Sequence, residues 1–192
     1  MNICVYGASS DLIDQEFIIQ GEALGEEMAR HGHSLVFGGG AHGLMGAVAR
    51  GVSRENGKII GVAPSFFNVD GVLFDKCTEF IYTETMRERK QTMENLSDAF
   101  IMTPGGIGTF EEFFEILTLK QLAQHNKPIA VLNTCGYFDD ISSLMNNAAR
   151  KSFMKDETLE LYKFFTDCNE LLDYIESYSE TARDIHSLKN IR

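Results

Sequence analysis

Glu112 closes the run Pro104-Gly105-Gly106-Ile107-Gly108-Thr109-Phe110-Glu111-Glu112, which separates an apolar stretch at residues 98–103 from a helix-forming stretch that starts near Phe110. A glycine-rich turn that leaves a strand and opens straight into a helix presents unpaired backbone N–H groups and the positive end of the helix dipole, a combination that suits a phosphate. A carboxylate in the first helical turn repels that anion unless it faces another part of the ligand, such as a ribose or a reacting bond. The run therefore suggests a nucleotide, with chemistry beside its phosphate. A second reading of the same residues is a capping box, in which Thr109 caps the helix and Glu112 reaches back to the Thr109 backbone N–H. Spacing alone does not separate the two.

Three further segments carry candidate groups. Gly38-Gly39-Gly40-Ala41-His42-Gly43 satisfies G-x-G-x-x-G, again after a strand and before a helix. A dinucleotide fingerprint also needs an acidic residue at the end of the next strand to hold a ribose, and that strand ends in Val62-Ala63-Pro64-Ser65. The cluster is thus read as a tight turn or a mononucleotide contact. The first strand delivers Gly7-Ala8-Ser9-Ser10, whose serines are either ligand donors or plain turn and cap residues. Met86-Arg87-Glu88-Arg89-Lys90 concentrates cations in an acidic chain, and helical spacing sets Arg87 and Lys90 on one side with Arg89 turned away. His31 and His33 flank a glycine, but neither H-x-x-x-H nor H-E-x-x-H occurs, so spacing indicates no metal site, and His42 and His125 read as surface histidines.

The elements that must position these groups follow from hydrophobic periodicity. Short apolar, β-rich runs at residues 3–6, 35–37, 59–63, 100–102, 129–132 and 164–165 alternate with amphipathic stretches at 16–30, 44–55, 85–96, 110–124, 138–151 and 169–178; residues 80–82 could add a strand and 64–76 reads as a loop. Such alternation predicts an α/β fold, a doubly wound, mostly parallel sheet with helices on both faces, and the glycine loops then gather at the carboxyl ends of its strands. With 192 residues and 44% hydrophobic content, residues 1–178 are expected to form one domain, followed by a polar tail from 179 to 192. The four scattered cysteines indicate neither a disulfide framework nor a zinc site and suit a reducing cytoplasm. No window is long and apolar enough for a membrane span, and a net charge of −11 argues against sequence-independent nucleic-acid binding.

Taken in order, Gly38-Gly39-Gly40-x-x-Gly43-Leu44-Met45-Gly46, Met86-x-x-Arg89-Lys90 and Pro104-Gly105-Gly106-x-Gly108-Thr109-x-x-Glu112 resemble the Lonely Guy family of cytokinin-activating phosphoribohydrolases, long labelled lysine decarboxylases. The resemblance implies a Rossmann-like fold, a homodimer, and hydrolysis of a purine nucleoside 5′-monophosphate to free base and ribose 5-phosphate without a cofactor. It places the family's catalytic arginine and glutamate on Arg89 and Glu112. Phosphate and ribose contacts are expected from Gly39, Gly40, Gly105, Gly106, Ile107, Gly108 and Thr109, with Ser9, Met86 and Lys90 as candidate substrate contacts. The chain departs from the family pattern at Ala8, Arg87 and Leu119, which bears on which base fits. Two rival classes stay open: a non-catalytic nucleotide or cofactor carrier, and a decarboxylase using a pyridoxal phosphate Schiff base on Lys90.

Overall fold

The computed structural model describes residues 1–179; the tail expected from 179 to 192 lies, from Glu180 onward, outside the described residues. Among the described residues seven strands form one sheet in the order β4-β3-β2-β1-β5-β6-β7, and neighbouring strands all pair in parallel. They are β1 (Asn2–Tyr6), β2 (Ser34–Phe37), β3 (Ile59–Pro64), β4 (Glu79–Thr83), β5 (Ala99–Met102), β6 (Ile129–Leu132) and β7 (Lys163–Phe165). The α-helices among the described residues are α1 (Gln15–Arg30), α2 (Gly43–Arg54), α3 (Met86–Leu96), α4 (Ile107–Gln121), α5 (Asp139–Arg150) and α6 (Cys168–Glu176). Among the described residues no helix is long and apolar enough to cross a membrane.

The two-residue period of a strand distributes its side chains between two cores. From β1, Ile3 and Val5 join Leu24 and Met28 of α1, Val48 and Val52 of α2 and Leu171 of α6 on one face. Cys4 and Tyr6 of the same strand join Met93 of α3, Phe113 of α4 and Met145 of α5 on the other. Burial on both faces explains why the central strands read as unbroken apolar runs rather than alternating ones.

The chain winds outward in one direction from β1 to β4 and in the other from β5 to β7, so β1 and β5 flank the point where strand order reverses. A crevice opens there in folds of this type. Its walls are pinned close together: the Ala8 N–H donates to the Pro104 carbonyl at 3.0 Å, and Thr103 Oγ1 donates to the Tyr6 carbonyl at 2.8 Å. On the neighbouring side, α1 and α2 pack backbone to backbone. A Cβ on Gly25 would lie 2.1 Å from the Val48 carbonyl oxygen, and one on Gly51 2.1 Å from that of Glu22. This close approach fixes where α2 begins, at the rim of the crevice.

Candidate active site

At the carboxyl ends of the strands the glycine loops enclose a cleft of about 610 Å³, a volume in the usual range for small-molecule sites. Arg89 and Glu112 both line it. Thr85 caps α3 by accepting from the Glu88 N–H at 3.1 Å, which starts the helix so that Arg89 falls on its inward side. The Arg89 guanidinium is anchored twice: Nε donates to the Val62 carbonyl at 3.2 Å and Nη1 donates to Glu112 Oε1 at 2.7 Å. The side chains are only 9% and 11% exposed. Ions this dry persist only when paired and hydrogen-bonded, and the partners here supply both conditions.

Glu112 proves not to be a helix cap. α4 begins at Ile107, three residues earlier than the apolar pattern suggested, with Gly106 as N-cap and no side-chain capping bond. Thr109 and Glu112 are therefore inside the helix rather than at its boundary, and the capping-box reading gives way to the ion pair with Arg89. Burial pushes the Glu112 carboxyl above the usual carboxylate range, and the Arg89 charge pulls it only part of the way back. A carboxylate perturbed by burial and by a specific charge partner, set in a cleft, is a candidate for chemistry.

The N-termini of α2 and α4 at the cleft differ. At α2, the Gly43 N–H already donates to Asp11 Oδ1 at 2.7 Å and the Met45 N–H to the Ala8 carbonyl at 3.1 Å. Gly43 holds φ +60, and a Cβ there would lie 2.6 Å from the Ala8 oxygen, so the backbone of the first loop packs directly on this turn. That end of the cleft carries its own carboxylate. At α4, the first-turn N–H groups have no partner four residues back, and a Cβ on Gly106 or Gly108 would meet nothing within 4 Å. The α4 end is the one open to an external anion.

Of the residues singled out in the sequence, Ser9, Gly40, Met86, Gly106, Ile107, Gly108 and Thr109 line the cleft together with Arg89 and Glu112. Gly39 and Gly105 stand behind it as packing positions, where a Cβ would come within 2.6 Å of the Phe80 ring and 2.1 Å of Thr109 Oγ1 respectively. Lys90, read as a substrate contact, points elsewhere: its ammonium pairs with Glu111 and, at 2.9 Å, with Glu115. It lines a separate cavity with Arg87 and Leu119, as helical spacing from Arg89 requires. Of the three departures from the family pattern, only Ala8 lies at the cleft.

Sequence reading missed an apolar wall and a histidine. Met45, Phe67, Val72 and Leu73 line the same cleft as the charged pair. Phe67, Val72 and Leu73 come from the aperiodic stretch after β3, where exposed aromatics in a strand-end loop were the available signal. His42, read as a surface residue, also lines it. Its Nδ1 pairs with Asp11 Oδ2 at 2.6 Å and its Nε2 with the Gly71 carbonyl at 2.8 Å, tying that loop to the α2 rim. The bond to Gly71 and the Asp11 carboxylate hold the His42 ring above its ordinary pKa.

Gly38 sets the position of Arg89, because a Cβ there would fall 2.0 Å from Arg89 Nη2. Gly38→Ala is accordingly expected to cost about 2 kcal/mol by displacing a buried guanidinium from its partners. Urea denaturation measures this, and an unchanged midpoint would show that the guanidinium has room to spare.

Comparison with known proteins places the chain in a family. The family described as "possible lysine decarboxylase" matches residues 45–175. The chain is 33% identical over 187 residues to a probable cytokinin riboside 5′-monophosphate phosphoribohydrolase of Oryza sativa subsp. japonica, LOGL5, covering 97% of this chain and 76% of that one. It is 34% identical over 176 residues to the cytokinin riboside 5′-monophosphate phosphoribohydrolase LOG of the same plant, covering 92% and 73%. Among solved structures, the molybdenum cofactor binding protein of Rippkaea orientalis superposes with a TM-score of 0.71 at 22% identity, over 92% of this chain and 95% of that one. The Moco carrier protein of Chlamydomonas rheinhardtii gives 0.67 at 20% identity, over 91% and 94%. These two likenesses speak to the fold alone. The sequence matches, together with the three ordered motifs, show that the chain belongs to the Lonely Guy family of phosphoribohydrolase-like proteins, whose older description is possible lysine decarboxylase.

Proposed function

We propose that the protein hydrolyses the N-glycosidic bond of a purine nucleoside 5′-monophosphate, N6-modified purines included, to free base and ribose 5-phosphate. The observation that carries this reading is the buried Arg89–Glu112 pair, set in the same cleft as the open N-terminus of α4. The ribosyl C–N bond breaks with its electron pair leaving on the base, so positive charge grows on the sugar. Glu112 as carboxylate faces the ribose, stabilises that cation and orients the attacking water, whose oxygen bonds to the sugar carbon while a proton passes to the base. Arg89 holds the carboxylate in place and offsets the negative charge on the leaving base. The N–H groups of Ile107, Gly108 and Thr109 bind the phosphate, so binding energy from a group that does not react positions the one that does. The apolar wall from Met45, Phe67, Val72 and Leu73 receives the base. In this reading residues 1–178 act as one domain and the protein works as a homodimer.

The carrier alternative uses the same cleft but releases no base. A lysine-based decarboxylase finds no lysine among the residues lining the cleft, and Lys90 is engaged by Glu111 and Glu115. The test is incubation with a panel of nucleoside 5′-monophosphates that differ in the base and its N6 substituent, following free base by chromatography. Release from at least one supports the hydrolase; saturable binding without release from any member supports the carrier.

The ionisation of Glu112 predicts the pH profile. Burial raises its pKa above the ordinary 4.5, and the reaction needs the carboxylate. The acid limb of kcat/KM is therefore expected above pH 4.5 and to vanish from the residual activity of Glu112→Gln. A limb at or below the ordinary value, or one unchanged in the variant, would assign it to another group. Because the folded protein holds this proton more tightly than the unfolded chain, the Glu112 contribution to stability is present in acid and is lost as pH rises through the folded value.

A further inference from the structure

At the amino ends of the strands, away from the cleft at their carboxyl ends, the turn between α1 and β2 meets the C-terminal end of α6. His31 caps the C-terminus of α1, and Gly32 adopts φ +75 with its N–H on the Ala29 carbonyl at 2.9 Å, while the His33 N–H returns to the Met28 carbonyl, also at 2.9 Å. This left-handed turn at the helix end reverses the chain so that the two imidazoles flank one carboxylate. His31 Nδ1 lies 2.9 Å and His33 Nε2 2.8 Å from the same oxygen, Oε1 of Glu176. His33 is 6% exposed and His31 28%, so one ligand is held by the core and one face of the cluster stays open to solvent. All three donor atoms lie within 4.8 Å of one another.

We propose that His31, His33 and Glu176 form a binding site for a divalent transition metal, zinc(II) foremost, that fastens α6 to the α1–β2 turn. Two imidazoles and one carboxylate are the donor set of three-ligand zinc sites, which leave the fourth tetrahedral position to water. Metal–ligand bonds of roughly 2.0–2.1 Å in a tetrahedron put donors roughly 3.3 Å apart. The two nitrogen–oxygen separations, 2.9 and 2.8 Å, need to open by about half an ångström to reach that spacing, and the two nitrogens start within 4.8 Å of each other. The rings are not stacked, with centroids 6.1 Å apart and planes at 43°. Binding through Nε2 puts the His33 ring proton on Nδ1, beside the Met1 amino group at 3.5 Å, so that weak contact is given up or reversed. No electron transfer is involved: neutral imidazoles change tautomer, and the carboxylate supplies the charge. The cluster escaped the motif reading because Glu176 is 143 residues from His33.

The site is tested by titrating chelator-treated protein with zinc(II) by calorimetry and with cobalt(II) by visible absorption, followed by thermal melts with and without zinc. One equivalent per chain is expected, with cobalt ligand-field bands and a higher Tm in zinc. Glu176→Gln keeps an acceptor for both imidazoles and so keeps the apo contacts, yet it should weaken zinc binding by about 100-fold, as should His31→Ala. Cys135→Ser, which removes the exposed thiol, should bind zinc like the unaltered protein. Absence of binding by folded protein, or binding by Glu176→Gln and His31→Ala as tight as by the unaltered protein, would overturn the proposal. Base release should be the same in the metal-free and metal-loaded protein, which separates failure here from failure of the hydrolase reading.

Discussion

Glu112→Gln is expected to lower kcat for nucleotide hydrolysis by about 100-fold or more while the protein stays folded and still binds nucleotide. The amide keeps the length and shape of the side chain and can still accept from Arg89 Nη1, now 2.7 Å from Glu112 Oε1. What it loses is the negative charge needed opposite a cationic sugar. Glutamine is the informative replacement because larger cuts confuse chemistry with folding. Arg89→Ala would strand a carboxylate that is 11% exposed, and breaking a buried pair from one side costs about 3–5 kcal/mol. Loss of activity there could be read either way. Since α4 is capped at Gly106 and not at Thr109, Glu112 has no capping duty to lose. Wild-type turnover by a folded Glu112→Gln protein would leave the carboxylate as a counter-ion for Arg89 and nothing more.

Removing the phosphate from the substrate should be about as damaging. The open first turn of α4 offers N–H donors to an anion, and each hydrogen bond to a charged group contributes about 1.5–3 kcal/mol. Two such bonds lost correspond to a fall in kcat/KM of about 100-fold or more for the nucleoside relative to its 5′-monophosphate. The loss should appear in kcat as well as KM, because the anchored phosphate sets the ribose against Glu112. Inorganic phosphate should compete with the nucleotide. The α2 N-terminus cannot substitute, since Asp11 already occupies its Gly43 N–H. Equal kcat/KM for nucleoside and nucleotide would contradict the assignment of α4 as the phosphate site.

Strand positions were legible because β1, β2, β3, β5 and β6 are buried on both faces. A short continuous apolar run between turn residues has few other uses. Helix faces were legible from period, and the opposition of Arg89 to Arg87 and Lys90 followed from it. The start of α4 was not, because Gly106, Ile107 and Gly108 carry no apolar periodicity and glycine is a weak helix former. That error of three residues kept the capping box alive. The roles of Gly39 and Gly105 were hidden for another reason: a glycine facing a ligand and one facing a neighbouring side chain look alike in sequence. Asp11 at the α2 terminus, His42 bridging to Gly71, and the His31–His33–Glu176 cluster all join residues distant in sequence. No local pattern encodes such contacts.

The central claim is that the Arg89–Glu112 pair cleaves a ribosyl C–N bond in a nucleotide anchored at α4. Its most direct measurement is a quantitative time course with a purine nucleoside 5′-monophosphate in which free base and ribose 5-phosphate are both determined. The account predicts that the two products accumulate in equal amounts over many turnovers. Stoichiometric, saturable binding of every nucleotide tried, with neither product formed, would contradict it.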